Sequence, residues 1–377
     1  MRQIFFLVLF LSLNNIVFPQ PDLSQIRKGI DYVYHFNFDS AKIVFDDIIK
    51  QNPKNPVGYF GMTLLEWWKI YMDLNNESYD ESFYEKVDKV VDISDNILDV
   101  NPNDENALLF KGGAQGYKGL LKGLRKSWLK AAEEGKNAIN LLQKVLEINP
   151  DNKDALFGIG VYNYYADYIP EEEPLLKPLT FIFPKGDKLK GLLQLKEASK
   201  NSKYSNIEAL FKLTQINLNY ERNYVEAENY SNELFAKYPE NPVFEKSLAE
   251  SYSFQSKLTE AIKTWKSILD KGNKKQFGYN VSQLQREAYY YLGLSYLWQI
   301  NYPESEYNLL KCEELTRALD ISRDTPYGAY TYLMLGMIYD KKGDVPKADF
   351  YYEKVLSMKN FGTSHDEAKK FKKERYR

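Results

Sequence analysis

At 377 residues the chain could hold two or three ordinary domains, or one stacked array that grows without a central core. Its 50 basic and 52 acidic residues leave a net charge of −2, so nucleic acid is not expected as a partner and nothing draws the whole chain to an anionic membrane. The single cysteine, Cys312, excludes an internal disulfide.

Residues 1–20 read as an export signal. Arg2 precedes an apolar run from Ile4 to Leu13 that is too short to cross a bilayer comfortably, and Asn14 and Asn15 break it. No small residue stands well placed for cleavage near Gln20, so an uncleaved anchor is the alternative, and no cysteine follows to carry a lipid. The expected location is periplasmic or secreted, with membrane proximity left open.

From Asp22 to Asn55, Gly29, Tyr32, Ala41, Phe45, Ile48 and Pro53 stand at positions 8, 11, 20, 24, 27 and 32 of a block of 34 residues. Small residues at 8 and 20 let two antiparallel helices approach closely, large ones at 11 and 24 fill the space beside them, and the proline ends the second helix. The block resembles a tetratricopeptide repeat. The resemblance implies an all-α fold, a right-handed superhelix (α-solenoid) of about eight helical hairpins that holds other macromolecules. The blocks are 22–55, 56–104, 105–152, 153–207, 208–241, 242–285, 286–328 and 329–362.

The turn prolines Pro53, Pro102 and Pro150 lie 49 and then 48 residues apart, so repeats two and three are about fifteen residues too long. Shared between two helices, the excess lengthens each by roughly 11 Å at 1.5 Å per residue. Long hairpins are expected there, or a short extra helix around residues 80–89. In repeat three, Gly112, Gly116, Gly119 and Gly123 fall on one helical face. Each costs about 0.8–1 kcal/mol relative to alanine, which a helix tolerates when another backbone packs against the bare face. Arg125, Lys126 and Trp128 mark the far end of that hairpin.

Repeat four opens with Leu156, Gly158 and Gly160, and then Pro170, Pro174, Pro178 and Pro184 follow a cluster of tyrosines. That spacing of prolines predicts one long irregular insertion, Tyr168 to Lys185, before Asp187 caps a new helix carrying Gly191, Leu195 and Ala198. Repeats five and six are marked by Ala227, Leu234 and Pro239 and by Leu248, Tyr252, Ala261, Trp265 and Ile268. Repeat seven carries Leu292, Gly293, Tyr296 and Leu309, with Cys312 as small filler at position 27. Repeat eight is as clear as the first, with Gly336, Tyr339, Ala348, Tyr352 and Val355. Residues 363–377 read as a basic helix capping the last apolar face.

The pieces Leu124–Trp128, Gly158–Asn163, Ile169–Pro170, Gly186–Asp187 and Gly191–Leu192 carry a second, narrower likeness. Together they resemble the eukaryotic tetratricopeptide repeat protein 39 and inclusion-body clearance protein family. That resemblance implies a helical-repeat adaptor working near a membrane, without catalytic residues. The export signal departs from it, since those relatives are intracellular.

Nothing in the sequence assembles a reaction centre. His35 and His365 stand at opposite ends, so no paired-histidine metal site forms, and His35 is placed to end the first helix. The stretch Lys185–Gly191 lacks the spacing and the Lys-Ser/Thr of a phosphate loop and reads as a turn with an N-cap. Glu171, Glu172 and Glu173, being consecutive, cannot face each other across a substrate and read as solvated. The expectation is a non-enzymatic protein with no cofactor and no metal.

In such a superhelix the first helices line the concave wall at internal positions 2, 5, 9, 12 and 13. These positions give Ile26, Ile30, Val33 and Tyr34 in repeat one and Phe157, Val161, Tyr164 and Tyr165 in repeat four. They give Tyr290, Leu294, Leu297 and Trp298 in repeat seven, and Tyr330, Leu333 and Met337 in repeat eight. The expected partner-binding residues are Tyr34, Phe157, Tyr164, Tyr165, Tyr290, Trp298 and Tyr330, with Tyr168 to Lys185 as a flap. Such a wall suits an amphipathic helix or extended segment of a protein partner. The alternatives are that the longer hairpins fill the groove themselves, or that the chain is a structural part of an envelope assembly acting through its outer surfaces and basic tail.

Overall fold

The computed structural model describes residues 22–172, 185–321 and 323–376; residues 1–21, which include the expected export signal, and residues 173–184 lie outside it. Among the described residues there are seventeen α-helices and no strand. They pair as α1 (Leu23–Tyr34) with α2 (Phe38–Gln51), α3 (Pro56–Met72) with α4 (Asp80–Leu98), and α5 (Glu105–Leu124) with α6 (Trp128–Ile148). The series continues with α7 (Lys153–Glu172) and α8 (Lys188–Asn201), α9 (Asn206–Asn219) and α10 (Tyr224–Lys237), and α11 (Pro242–Phe254) and α12 (Leu258–Asn273). It ends with α13 (Ser282–Trp298) and α14 (Tyr302–Leu319), α15 (Pro326–Lys341) and α16 (Val345–Ser357), and then α17 (Ser364–Glu374). The chain is an all-α helical-repeat superhelix.

Local chemistry sets the helix ends. Asp22, Asn37, Asn55, Asp104, Asn223, Asn241, Asn301 and Asp344 each accept a backbone N–H of the turn that follows, and prolines open α3, α11 and α15. The turn inside a hairpin repeats one geometry. Phe36, Lys126, Ser256, Ile300 and Gly343 take positive φ, and the next N–H bonds a carbonyl five residues back, as from Asn37 to Tyr32 and from Asn301 to Tyr296 (both 2.9 Å).

The small-against-large rule holds inside the hairpins. A Cβ on Gly29 would lie 2.6 Å from the Phe45 ring, on Gly293 2.6 Å from Leu309, and on Gly336 2.4 Å from the Tyr352 ring. In each case a glycine at position 8 receives the side chain at position 24 of its own repeat. Hairpins two and three are long, with helices of 17 to 21 residues, and α4 starting at Asp80 takes the place of an extra helix. The glycine stripe of α5 faces Ala131, Gly135, Ala138 and Leu142 of α6; an added Cβ would stand 3.0 Å from the Leu142 side chain at Gly112 and 3.1 Å from the Ala131 carbonyl oxygen at Gly119.

The insertion starts later than expected. The backbone of α7 stays helical through Pro170 to Glu172. A proline there removes one helical bond and costs about 3 kcal/mol. In the turn before it, Tyr168 is stacked on Tyr164 and edge-on to Tyr220 at 4.8 Å. Glycines bring α8 into backbone contact with α7: a Cβ on Gly186 would lie 2.5 Å from the Asn163 carbonyl oxygen, and on Gly191 2.7 Å from the Tyr164 nitrogen. Of the supposed flap, Tyr168 to Glu172 is helix and 173–184 lies outside the described residues.

The first two hairpins also reach across to hairpins five and six. Tyr238 donates to Asp31 (2.6 Å), Asn241 donates to the Tyr34 carbonyl (2.9 Å), and Trp68 packs on Phe211 and Phe244 at 5.3 and 5.4 Å. One hydrophobic core therefore runs from α1 to α11 across the inside of the superhelix. At the other end α17 lies on α15 and α16. Ala368 is buried, Phe371 meets Tyr352, and Arg375 grips Asp349 at 2.6 Å.

Candidate functional site: the concave face

Position 13 of the first helix is aromatic in seven consecutive repeats: Tyr34, Trp68, Tyr117, Tyr165, Tyr220, Phe254 and Trp298. The structure divides them in two. Those of repeats one to three turn inward onto Glu208 of α9. Trp68 donates to its Oε1 at 2.7 Å, Tyr34 donates to the same oxygen at 3.1 Å, and Tyr117 is a third donor. Glu208 is buried, and burial raises its carboxyl above the usual range against the pull of these donors and of Lys212. The other four open progressively toward solvent. Tyr165 is half-buried, and Tyr220, Phe254 and Trp298 are 37%, 39% and 51% exposed.

This division corrects two expected partner contacts. Tyr34 is fully buried because the superhelix closes over it. Tyr164 is fully buried because α7 and α8 are in backbone contact; its hydroxyl donates to Glu221 at 2.6 Å. Phe157 is half-buried in the same cluster as Tyr164, with Leu195, Leu213 and Ile216. Tyr330 is half-buried and is committed to the C-terminal cap, donating to the Phe361 carbonyl at 3.0 Å beneath Gly362. Of the remaining expected contacts, Tyr165 and Tyr290 are half-buried, Tyr290 against the core of repeats six to eight, and Trp298 is 51% exposed. Tyr165 stands edge-on to Tyr220 with Lys212 over its ring, and Tyr290 stands edge-on to Tyr327 at 5.1 Å.

The concave face also carries charges that the sequence reading passed over. Lys212 is at position 5 of repeat five, Lys246 and Glu250 are at positions 5 and 9 of repeat six, and Glu287 is at position 2 of repeat seven. The register used for repeats one, four, seven and eight would have found the first three in five and six, and it already covered Glu287 in seven. The Lys246 ammonium lies 2.5 Å from Glu287 and 3.7 Å from Glu250. Burial pushes the Glu250 carboxyl up to about 7; Lys246 opposes this and the Glu287 charge adds to it. Burial also lowers the Lys212 ammonium, although Glu208 opposes it. Beside them Arg286 pairs with Asp320 at 2.9 Å and lies over the Tyr327 ring.

Among the described residues no three His, Cys, Asp or Glu side chains come together as a metal site, and no helix is long and apolar enough to cross a membrane. Cys312 is buried against Thr316 and Thr331, and burial pushes its thiol up to about 11, as suits filler.

Residues 329–361, the hairpin in which Gly336 receives Tyr352, match the tetratricopeptide repeat family. The eighth hairpin is a tetratricopeptide repeat. Among solved structures the chain is similar to a tetratricopeptide repeat protein from Parabacteroides merdae, with 15% identity over 93% of this chain and 98% of that one and a TM-score of 0.31. It is similar to yeast Tom70, with 14% identity over 93% and 94% and a TM-score of 0.30. It is also similar to the human IFIT1 dimer with m7Gppp-AAAA, with 15% identity over 95% and 84% and a TM-score of 0.40. No curated protein matches the chain, so the narrower likeness of repeats three and four rests on their own residues.

Proposed function

We propose that the chain is an exported, non-enzymatic scaffold that holds segments of other proteins on the concave face of repeats four to eight. The observation that carries this reading is the row Tyr165, Tyr220, Phe254 and Trp298, one aromatic per repeat and each more open than the last. First helices of successive repeats pack directly on one another. At the usual 8–10 Å between packed helices, such a row meets every third residue of an extended segment at about 3.3 Å per residue. Partly exposed aromatics spaced in this way are the kind of anchor on which binding energy concentrates.

The basic tail supports the envelope alternative less well. Arg375 and Lys372 are spent on Asp349 and Glu353, which leaves Lys369, Lys370 and Lys373 facing solvent. A photo-crosslinking amino acid placed at Trp298 in the native cell tests the reading. Protein adducts are expected; Phe254→Ala with Tyr220→Ala should cut them by about 30-fold, the effect of losing roughly 2 kcal/mol. Reversing the charge of the three lysines should leave them in place. Adducts to nucleic acid, or adducts indifferent to the aromatic pair and lost with the lysines, would overturn the groove. Intact-mass measurement of the native protein tests export through removal of residues near 1–20.

A further inference from the structure

Glu250 and Glu287 share a single ammonium, that of Lys246; of the other cations on or near this face, Lys212 is set against the Glu208 charge. Arg286 is held by Asp320 at 2.9 Å and Lys188 by Glu221 at 3.0 Å. The group is therefore one positive charge short. It is enclosed by Tyr71 on α3, by Arg286 and Tyr291 on α13 and by Tyr327 on α15, and a third of the Lys246 side chain remains open to solvent. All three members occupy groove positions; Phe254 stands one turn beyond Glu250 on α11, and Trp298 about three turns beyond Glu287 on α13. An uncompensated carboxylate in a half-buried site costs more than one in water, and a second cation restores the balance. Ring faces around the site favour the same kind of charge.

We propose that Glu250 and Glu287 form the receptor for a lysine or arginine side chain projecting from an extended segment of a partner protein. This rests on the groove reading above and gives it a chemistry. The incoming cation stands in for the proton that Glu250, titrating at about 7, takes up when the site is empty. Binding therefore strengthens as pH rises through neutrality and weakens on acidification.

The test uses the full chain, immobilised, and a random library of twelve-residue peptides displayed on phage. Peptides enriched at about pH 8 are expected to carry a lysine or arginine. Replacing that residue by norleucine or citrulline should weaken binding at least about tenfold to the native chain and less than about twofold to Glu250→Gln/Glu287→Gln. Lys246→Met, which removes the resident cation, should tighten the same peptide, an outcome that general loss of folding cannot produce. Lowering the pH to about 5.5 should weaken the native complex about tenfold. Peptides that need Trp298 but ignore the two glutamates and the pH would overturn this inference and leave the groove standing. Failure to enrich any peptide sensitive to Trp298→Ala would overturn the groove reading, and this inference with it.

Discussion

Glu208 accepts hydrogen bonds from side chains that reach it out of three different hairpins, two of them on the same oxygen. Glu208→Gln keeps that oxygen for Tyr34 and Trp68 and removes the buried charge. Burial raises this carboxyl, so the stability linked to it is fully present below the ordinary carboxylate value. That stability is lost as pH rises through the raised value in the folded protein. The Gln variant should therefore gain on the native chain as pH is raised, with the gap in melting temperature widest near pH 8 and closing toward pH 4. Glu208→Leu leaves an indole N–H and two hydroxyls without their acceptor, at about 1–3 kcal/mol for each buried group left unsatisfied. It should be severely destabilising throughout that range. Equal pH profiles for the native and Gln proteins would show that Glu208 is charged without cost.

At the scale of helices, the spacing between α5 and α6 is set by which glycines touch backbone. A Cβ on Gly119 would press on the Ala131 carbonyl at 3.1 Å, whereas one on Gly116 would rest 3.8 Å from the Ala138 methyl, an ordinary contact. Gly116→Ala should thus deliver the helix-propensity gain of about 0.8–1 kcal/mol. Gly119→Ala should lose at least that much to the forced separation, and thermal melts of the two variants should move in opposite directions. This stripe, the long second and third hairpins and the Asp187 cap were legible because each is written in neighbouring residues. The course of α7 past Pro170 was not. What holds its last turns is Tyr220, some fifty residues on, together with glycine contacts from α8. The concave site was half legible for a similar reason. Position 13 could be read off every repeat, but which of its aromatics face water depends on where the superhelix closes.

That closure distinguishes the whole molecule from an open array, in which each repeat touches only its neighbours and the ends fray first. Tyr34 and Glu208 are 174 residues apart in sequence, and Tyr238 and Asp31 are 207 apart. No local period encodes such a pairing. It joins α1 and α3 to α9, α10 and α11, so the first hairpin gains partners beyond α2 and α3. Repeats one to six are expected to unfold as one cooperative unit, with amides of α1 exchanging as slowly as those of α9. Trp68 is the residue to remove, because its ring touches Tyr34, Phe36, Tyr71, Phe211 and Phe244 while its N–H holds Glu208. Trp68→Ala should cost about 3–5 kcal/mol. Calorimetry should then resolve two transitions, with exchange accelerated in α1 to α4 and unchanged in α13 to α16. A single transition with exchange raised evenly along the chain would mean that neighbouring contacts alone carry the cooperativity.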